Sequence, residues 1–167
     1  MDIFYKIITS PIGMYLLVES EKGISFVEHL DSEEAESQKM NRAEATRKDT
    51  PLLLETARQM EEYFKGERHT FDIPMDTHGT PFQQQVWLEL QRIPYGEVRT
   101  YKEIAAAIDN PKAVRAVGMA NNRNPISIMT PCHRVIGSNG SLVGYAGGLD
   151  VKEFLLNLET VNQFNTH

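Results

Sequence analysis

The chain has 167 residues and one cysteine, Cys132, which lies in Pro131-Cys132-His133-Arg134. A thiol beside an imidazole is a candidate nucleophile. The thiolate is the reacting form, a free thiol holds only a few per cent of it near neutrality, and neighbouring His and Arg both favour it. A lone cysteine also fits a small buried core residue, and the flanking basic pair weighs against that reading. The lead-in Ile126-Ser127-Ile128-Met129-Thr130 reads as a short buried strand or extended segment that delivers the thiol. In an extended chain successive side chains point to opposite faces. His133 could then reach the sulfur only through a water or a local bend, or else the base lies elsewhere.

A single thiol excludes intramolecular disulfides and any zinc cluster built on cysteines, since both need at least two. There is no long apolar run, and Met1-Asp2-Ile3-Phe4-Tyr5-Lys6 lacks the layout of a signal peptide, so a soluble, cytoplasmic protein with no membrane partner is expected. The net charge of −6 is unevenly spread: residues 1–76 carry −7 and residues 77–167 carry +1. Within Val98–Arg123 five basic residues (Arg99, Lys102, Lys112, Arg115, Arg123) face two acidic ones, which suits salt-sensitive phosphate contact as well as an ordinary solvated surface.

The elements that would position these groups follow from pattern. Ile3–Ile8, Met14–Glu19 and Ile24–His29 are β-rich and tightly connected, which predicts an antiparallel meander. The polar stretch 31–48 reads as either a solvated helix or a loop. Thr50 and Pro51 open a helix with Leu53, Ala57, Met60 and Phe64 on its apolar face, ended by Gly66. Residues 76–79 read as a linker. Thr80 and Pro81 then open a helix with the stripe Phe82, Val86, Trp87 and Leu90, in which Trp87 reads as core. Thr100 caps a helix over 101–108, Asp109-Asn110-Pro111 breaks it, and a second helix begins at Lys112. Two short helices around a tight break form either a helix-turn-helix or a plain helical hairpin.

On the second of these helices Val114 and Val117 are placed toward the core and Lys112, Arg115, Met119 and Asn122 on the opposite stripe. Ala113, Ala116, Gly118 and Ala120 flank that stripe, and small neighbours allow the close approach that a minor groove about 6 Å wide requires, with Arg115 reaching toward the base stack. Beyond Cys132, the glycine-rich Gly144-Tyr145-Ala146-Gly147-Gly148 could wrap a planar ligand or form a surface loop. A last amphipathic helix carries Val151, Phe154, Leu155 and Leu158, with Glu159 at its end.

From Phe82 to Glu159 the motifs Tyr95-Gly96-Glu97-Val98, Asn110-Pro111-Lys112-Ala113, Arg115-Ala116-Val117-Gly118, Asn124-Pro125, Pro131-Cys132-His133-Arg134 and Gly147-Gly148-Leu149 come in an order that resembles the O6-alkylguanine-DNA alkyltransferases. The first half resembles that family only in general layout. The resemblance implies an α+β chain. An antiparallel-sheet, ribonuclease H-like domain over 1–76 would precede a mostly helical DNA-binding alkyltransferase domain over 77–167 with a helix-turn-helix. It implies a monomer acting once on double-stranded DNA that contains O6-alkylguanine, and O4-alkylthymine as well.

By the same resemblance Cys132 takes the alkyl group, His133 acts through a water with Glu159 behind it, and Tyr101 gives a proton to the departing base. Arg115 fills the space left by a flipped nucleotide, and Asn124 braces the recognition helix against the site. Backbone groups of Cys132 and Val135, together with Tyr145 and Ala146, hold the base. Ala146 stands where some relatives have Ser, so a hydroxyl contact is lost, and Gly147 leaves the pocket mouth open. No cofactor or metal is implied, because the substrate carries its own leaving group. A non-catalytic helix-turn-helix protein and a Cys-His-Glu hydrolase are the competing readings.

Overall fold

The computed structural model describes residues 2–30, 40–41, 44–142, 145 and 148–164. Their contacts divide the chain into two compact units, Met1–Thr77 and His78–Thr166.

The first unit is a sheet of β1 (Phe4–Ser10), β2 (Gly13–Ser20), β3 (Gly23–Leu30) and β4 (Thr46–Arg47), in the order β3-β2-β1-β4. The three expected strands pair antiparallel, with Tyr5 opposite Val18 and Leu17 opposite Val27. The fourth strand was not expected. It is two residues long, runs parallel to β1 at Phe4–Tyr5, and lies in the polar stretch that reads as helix or loop. Of that stretch, residues 31–39 and 42–43 lie outside the described residues.

Tyr15-Leu16-Leu17-Val18 are all buried because both faces of β2 are covered. Leu16 and Val18 pack with Tyr5, Leu30 and Met40, and the other face meets α1 (Pro51–Phe64), where the Tyr15 and Phe64 rings lie 5.8 Å apart. Helix α1 starts on Thr50 and Pro51 as expected, but its buried face is Leu53, Thr56, Gln59, Met60 and Tyr63, rotated from the apolar stripe that its sequence suggests. Gln59 is admitted to the core because its amide satisfies both the N–H and the C=O of Asp72.

The second unit contains α2 (Pro81–Leu90), β5 (Arg99–Thr100), α3 (Tyr101–Ala107), α4 (Val114–Asn122), a single 3-10 turn (Cys132–Arg134), β6 (Val135–Ile136) and α5 (Leu149–Asn162). Its core joins Val86, Trp87, Leu90, Ile104, Ala105, Val117, Ala120 and Val135, and Cys132 is a member of that cluster. Trp87 is core as expected, and its indole N–H donates to Ala120 O at 2.8 Å. Strands β5 and β6 pair in parallel, Arg99 with Val135 and Thr100 with Ile136, so the start of α3 is registered directly against the end of the cysteine turn.

Thr100 caps α3 through a capping box with Glu103, which fixes the entry of Tyr101 at the first helical position. Thr100→Ala is expected to lower stability by about 1 kcal/mol, seen as a thermal midpoint lower by roughly 2–4 °C. Among the described residues no helix is long and apolar enough to cross a membrane.

Candidate active site

Cys132 is not delivered by a strand. Residues 127–129 form a turn, with Ile128 at φ +72°, and the 3-10 turn follows. The cause is Asn124. Its side chain takes the Ile126 N–H at 3.1 Å and donates to Thr130 O at 2.7 Å, which closes the segment into a loop two residues short of the thiol. Asn124, whose own N–H meets Asn121 O at the end of α4, thus ties the segment that carries the thiol to the end of that helix. With Cys132 and His133 on a helical turn, the alternation of an extended chain does not apply, and the local bend that the sequence left open is present.

His133 is fully buried, and its Nε2 lies 2.7 Å from Glu159 Oε2. A carboxylate only accepts, so Nε2 carries the hydrogen and Nδ1 keeps its lone pair; among the described residues Nδ1 has no hydrogen-bond partner. Burial pushes the imidazole below its ordinary value, against the pull of Glu159, so it rests neutral. Glu159 also accepts Nε and Nη2 of Arg134, at 2.7 and 3.0 Å, and the Gly96 N–H at 3.3 Å. Burial opposes its ionisation, yet His133 and Arg134 outweigh burial and hold the carboxyl well below the usual carboxylate range.

Arg134 reaches Ile93 O at 2.7 Å with its remaining arm and lies over the Tyr95 ring. It is spent on Glu159 and the backbone, so it does not act on the sulfur as its place beside Cys132 suggests. The thiol is pushed up by burial, and the groups that counter this are Asn124, Lys152 and Tyr145. Reaction of the free protein with iodoacetamide is expected to be slow near about pH 7 and to climb about tenfold per pH unit past the ordinary thiol range. A plateau in that profile below about pH 8 would mean a resting thiolate instead.

Sequence reading missed Lys152. It is fully buried in the first turn of α5, its Nζ donates to Val135 O at 2.5 Å, and it lies 5.9 Å from the ring centroids of both Tyr101 and Tyr145. Burial lowers its ammonium to about 8, with Cys132 pulling the other way. The available signal was spacing: Lys152, Leu155 and Glu159 recur on one face of α5. Tyr101, Tyr145 and Cys132 thus surround one cation, and burial raises the Tyr101 phenol above its ordinary value.

Val135 has both backbone groups engaged, its N–H on Cys132 O and its carbonyl by Lys152, and Cys132 O also accepts from Asn121 Nδ2. Ala146 and Gly147 lie outside the described residues.

On α4 the outer stripe Lys112, Arg115, Met119 and Asn122 is exposed as expected, and among the described residues Arg115 makes no ion pair. Two expectations for this helix are corrected. Val114 is 36% exposed, because it is the first residue of α4 and precedes the turn that packs; the buried face is Val117, Ala120 and Asn121. Ala120 is buried under Trp87, whereas a Cβ at Gly118 would make only an ordinary contact, 3.9 Å, with the Tyr101 ring. Ala113 and Ala116 flank the outer stripe. Beside it Thr80, Phe82 and Gln83 face Ala116, Met119 and Arg123 across a recess of about 180 Å³. Among the described residues no group of three or more His, Cys, Asp or Glu side chains could hold a metal ion.

Both units are matched by known families. Residues 3–77 match the family 6-O-methylguanine DNA methyltransferase, ribonuclease-like domain, and residues 81–161 its DNA binding domain. The chain is 51% identical over 157 residues to the methylated-DNA–protein-cysteine methyltransferase of Methanosarcina acetivorans, covering 94% of this chain and 98% of that one. It is 48% identical over 160 residues to the constitutive methylated-DNA–protein-cysteine methyltransferase of Bacillus subtilis, covering 95% and 96%. Among solved structures it resembles Mycobacterium tuberculosis OGT in complex with DNA, with a TM-score of 0.85 and 43% identity over 95% of this chain and 94% of that one.

Proposed function

Because the chain belongs to the methylated-DNA–protein-cysteine methyltransferase family, we propose that it repairs DNA by moving an alkyl group from O6 of guanine, and also from O4 of thymine, onto Cys132. The observation that carries this reading is the Cys132–His133–Glu159 turn. A core thiol is followed at once by a neutral histidine whose Nε2–H is fixed by Glu159 and whose Nδ1 is left as a proton acceptor.

The sulfur–carbon bond forms as the carbon–O6 bond breaks, and the bonding pair leaves with the base. The thiol proton passes through a water to Nδ1 of His133, and the imidazolium so formed is stabilised by Glu159. Tyr101 gives its phenolic proton to a ring nitrogen of the departing guanine, which therefore leaves neutral. The product is a thioether, no step restores the thiol, and each molecule acts once.

The substrate carbon is inside the duplex, so the nucleotide must swing out, at a cost of a few kcal/mol that a lesion reduces. Arg115, long and exposed on α4, fills the vacated place from the minor groove. Backbone groups of Cys132 and Val135 hold the base's polar edge, and the ring of Tyr145 walls its face. Asn124 keeps the cysteine turn in place.

The test is to mix the protein with duplex DNA containing O6-methylguanine and weigh the intact chain. Gain of a single methylene, on the Cys132 peptide and with one equivalent of lesion repaired, is the expected result. Unchanged mass with retained binding would make the protein a non-catalytic DNA-binding module, and many repaired lesions per protein a hydrolase.

A further inference from the structure

We propose that the recess between the start of α2 and the outer stripe of α4 seats one strand of the DNA duplex, its sugar against Met119 and its phosphate on Arg123. The inference deepens the preceding reading by adding a backbone seat beside the Arg115 contact, and it rests on that reading.

Met119 is an apolar side chain in an exposed place. Among the described methionines it alone is exposed, at 60%, whereas Met14 and Met75 are half-buried and Met40, Met60 and Met129 are buried. Val117 and Ala120 carry the inner face of α4 into the core, and Met119 instead lines the recess with Ala116 and with Phe82 of α2. An unbranched thioether adapts its shape to an irregular apolar partner.

Arg115 stands four residues before Met119 and Arg123 four residues after it, so the three follow one another along one side of the helix. Among the described residues neither arginine makes an ion pair, and neither α4 nor the lining of the recess holds a carboxylate. An apolar group between two cations complements a nucleic-acid strand, in which charged phosphates alternate with sugars. An acidic protein surface would match the arginines but set Met119 against charge. Four helical residues rise about 6 Å, about the width of a minor groove. With Arg115 in the groove and α4 crossing it, Met119 meets the sugars of the groove wall and Arg123 the phosphates beyond.

The first test is an oxidation footprint on the natural protein. Brief exposure to hydrogen peroxide adds one oxygen to an accessible thioether, the peroxide leaving as water, and the sulfoxide is located by peptide mass. Saturating lesion-free duplex is expected to slow oxidation of Met119 by at least about 10-fold and to leave Met14, in the first unit, unchanged. The second test is affinity for the same duplex as a function of salt. Met119→Ala should weaken binding by about 3- to 10-fold with an unchanged salt slope, since the lost contact is apolar, and Arg123→Ala should reduce the slope by about 1. Both side chains are exposed, so neither substitution opens the core, and the footprint needs no variant.

Undiminished oxidation of Met119, full affinity in Met119→Ala, or an unchanged slope in Arg123→Ala overturns the seat. Protection of Met119 that grows with protein concentration in the absence of DNA assigns the recess to a second copy of the chain and overturns it as well. If the natural protein binds no duplex and does not alkylate Cys132, the preceding reading falls together with this one. Binding and transfer with Met119 still open to peroxide remove this one alone.

Discussion

Cys132→Ser is expected to lose methyl transfer altogether, a fall of at least about 10⁴-fold in the single-turnover rate, in line with the loss on removing other enzyme nucleophiles. Serine keeps nearly the shape of cysteine, so the turn that Asn124 closes and the exposed stripe of α4 are untouched. A hydroxyl cannot substitute for the sulfur. His133 is neutral and buried, able to accept a proton from a thiol in passing but too weak a base to populate an alkoxide. Affinity for duplex DNA should stay within about 2-fold, since phosphate and groove contacts supply it and none involves the sulfur. Gel-shift titration beside intact-mass analysis separates the two quantities. Loss of both binding and transfer would make the thiol a structural element of the core.

Glu159→Ala is the substitution expected to cost most in stability. The carboxylate receives four donors from three residues on two segments of the chain: the Gly96 N–H, His133 Nε2, and Nε and Nη2 of Arg134. Its removal leaves the Arg134 guanidinium buried with only Ile93 O and the Tyr95 ring to face. Breaking a buried ion pair from one side costs roughly 3–5 kcal/mol, so the thermal midpoint should fall by roughly 6–20 °C for a chain of this size.

The acid limb should change as well. The folded-state pKa of Glu159 lies below its ordinary value of 4.5, so its contribution is complete above that value and is lost as pH falls through the folded value. His133 is depressed below 6.5 by burial, which gives a loss of the same sign that begins as pH drops under 6.5. Denaturant titrations of the natural protein should therefore show stability falling continuously from about pH 6 downward, and Glu159→Gln should flatten the part below about pH 4.5. An unchanged acid limb in Glu159→Gln would show that the carboxylate is not held ionised by its partners.

Much of the scaffold was legible because the signals are local. Thr80-Pro81 and Thr100 announce two helix starts, and the caps are formed as their chemistry suggests. The histidine beside the cysteine and Glu159 also come together as expected. The errors have a common origin in residues whose partners are distant in sequence. Lys152 and Asn121 look like solvent-facing positions on amphipathic helices, and only the tertiary placement of Val135 O and Cys132 O draws them inside. Arg134 reads as a companion of the sulfur until Ile93 O and Glu159 claim its three arms. Strand β4, at two residues, is too short to carry a period. The Ile126–Thr130 run is apolar enough for a strand, and one asparagine side chain bends it into a turn.

The indole of Trp87, tied to the α4 backbone at Ala120, is the sole tryptophan of the chain. Its emission is therefore an optical label for residues 78–166 alone, placed by nature beneath the helix that carries Arg115. Circular dichroism at strand wavelengths weights the other half. Following both signals through one melt would tell whether the two units come apart in a single cooperative event or in sequence.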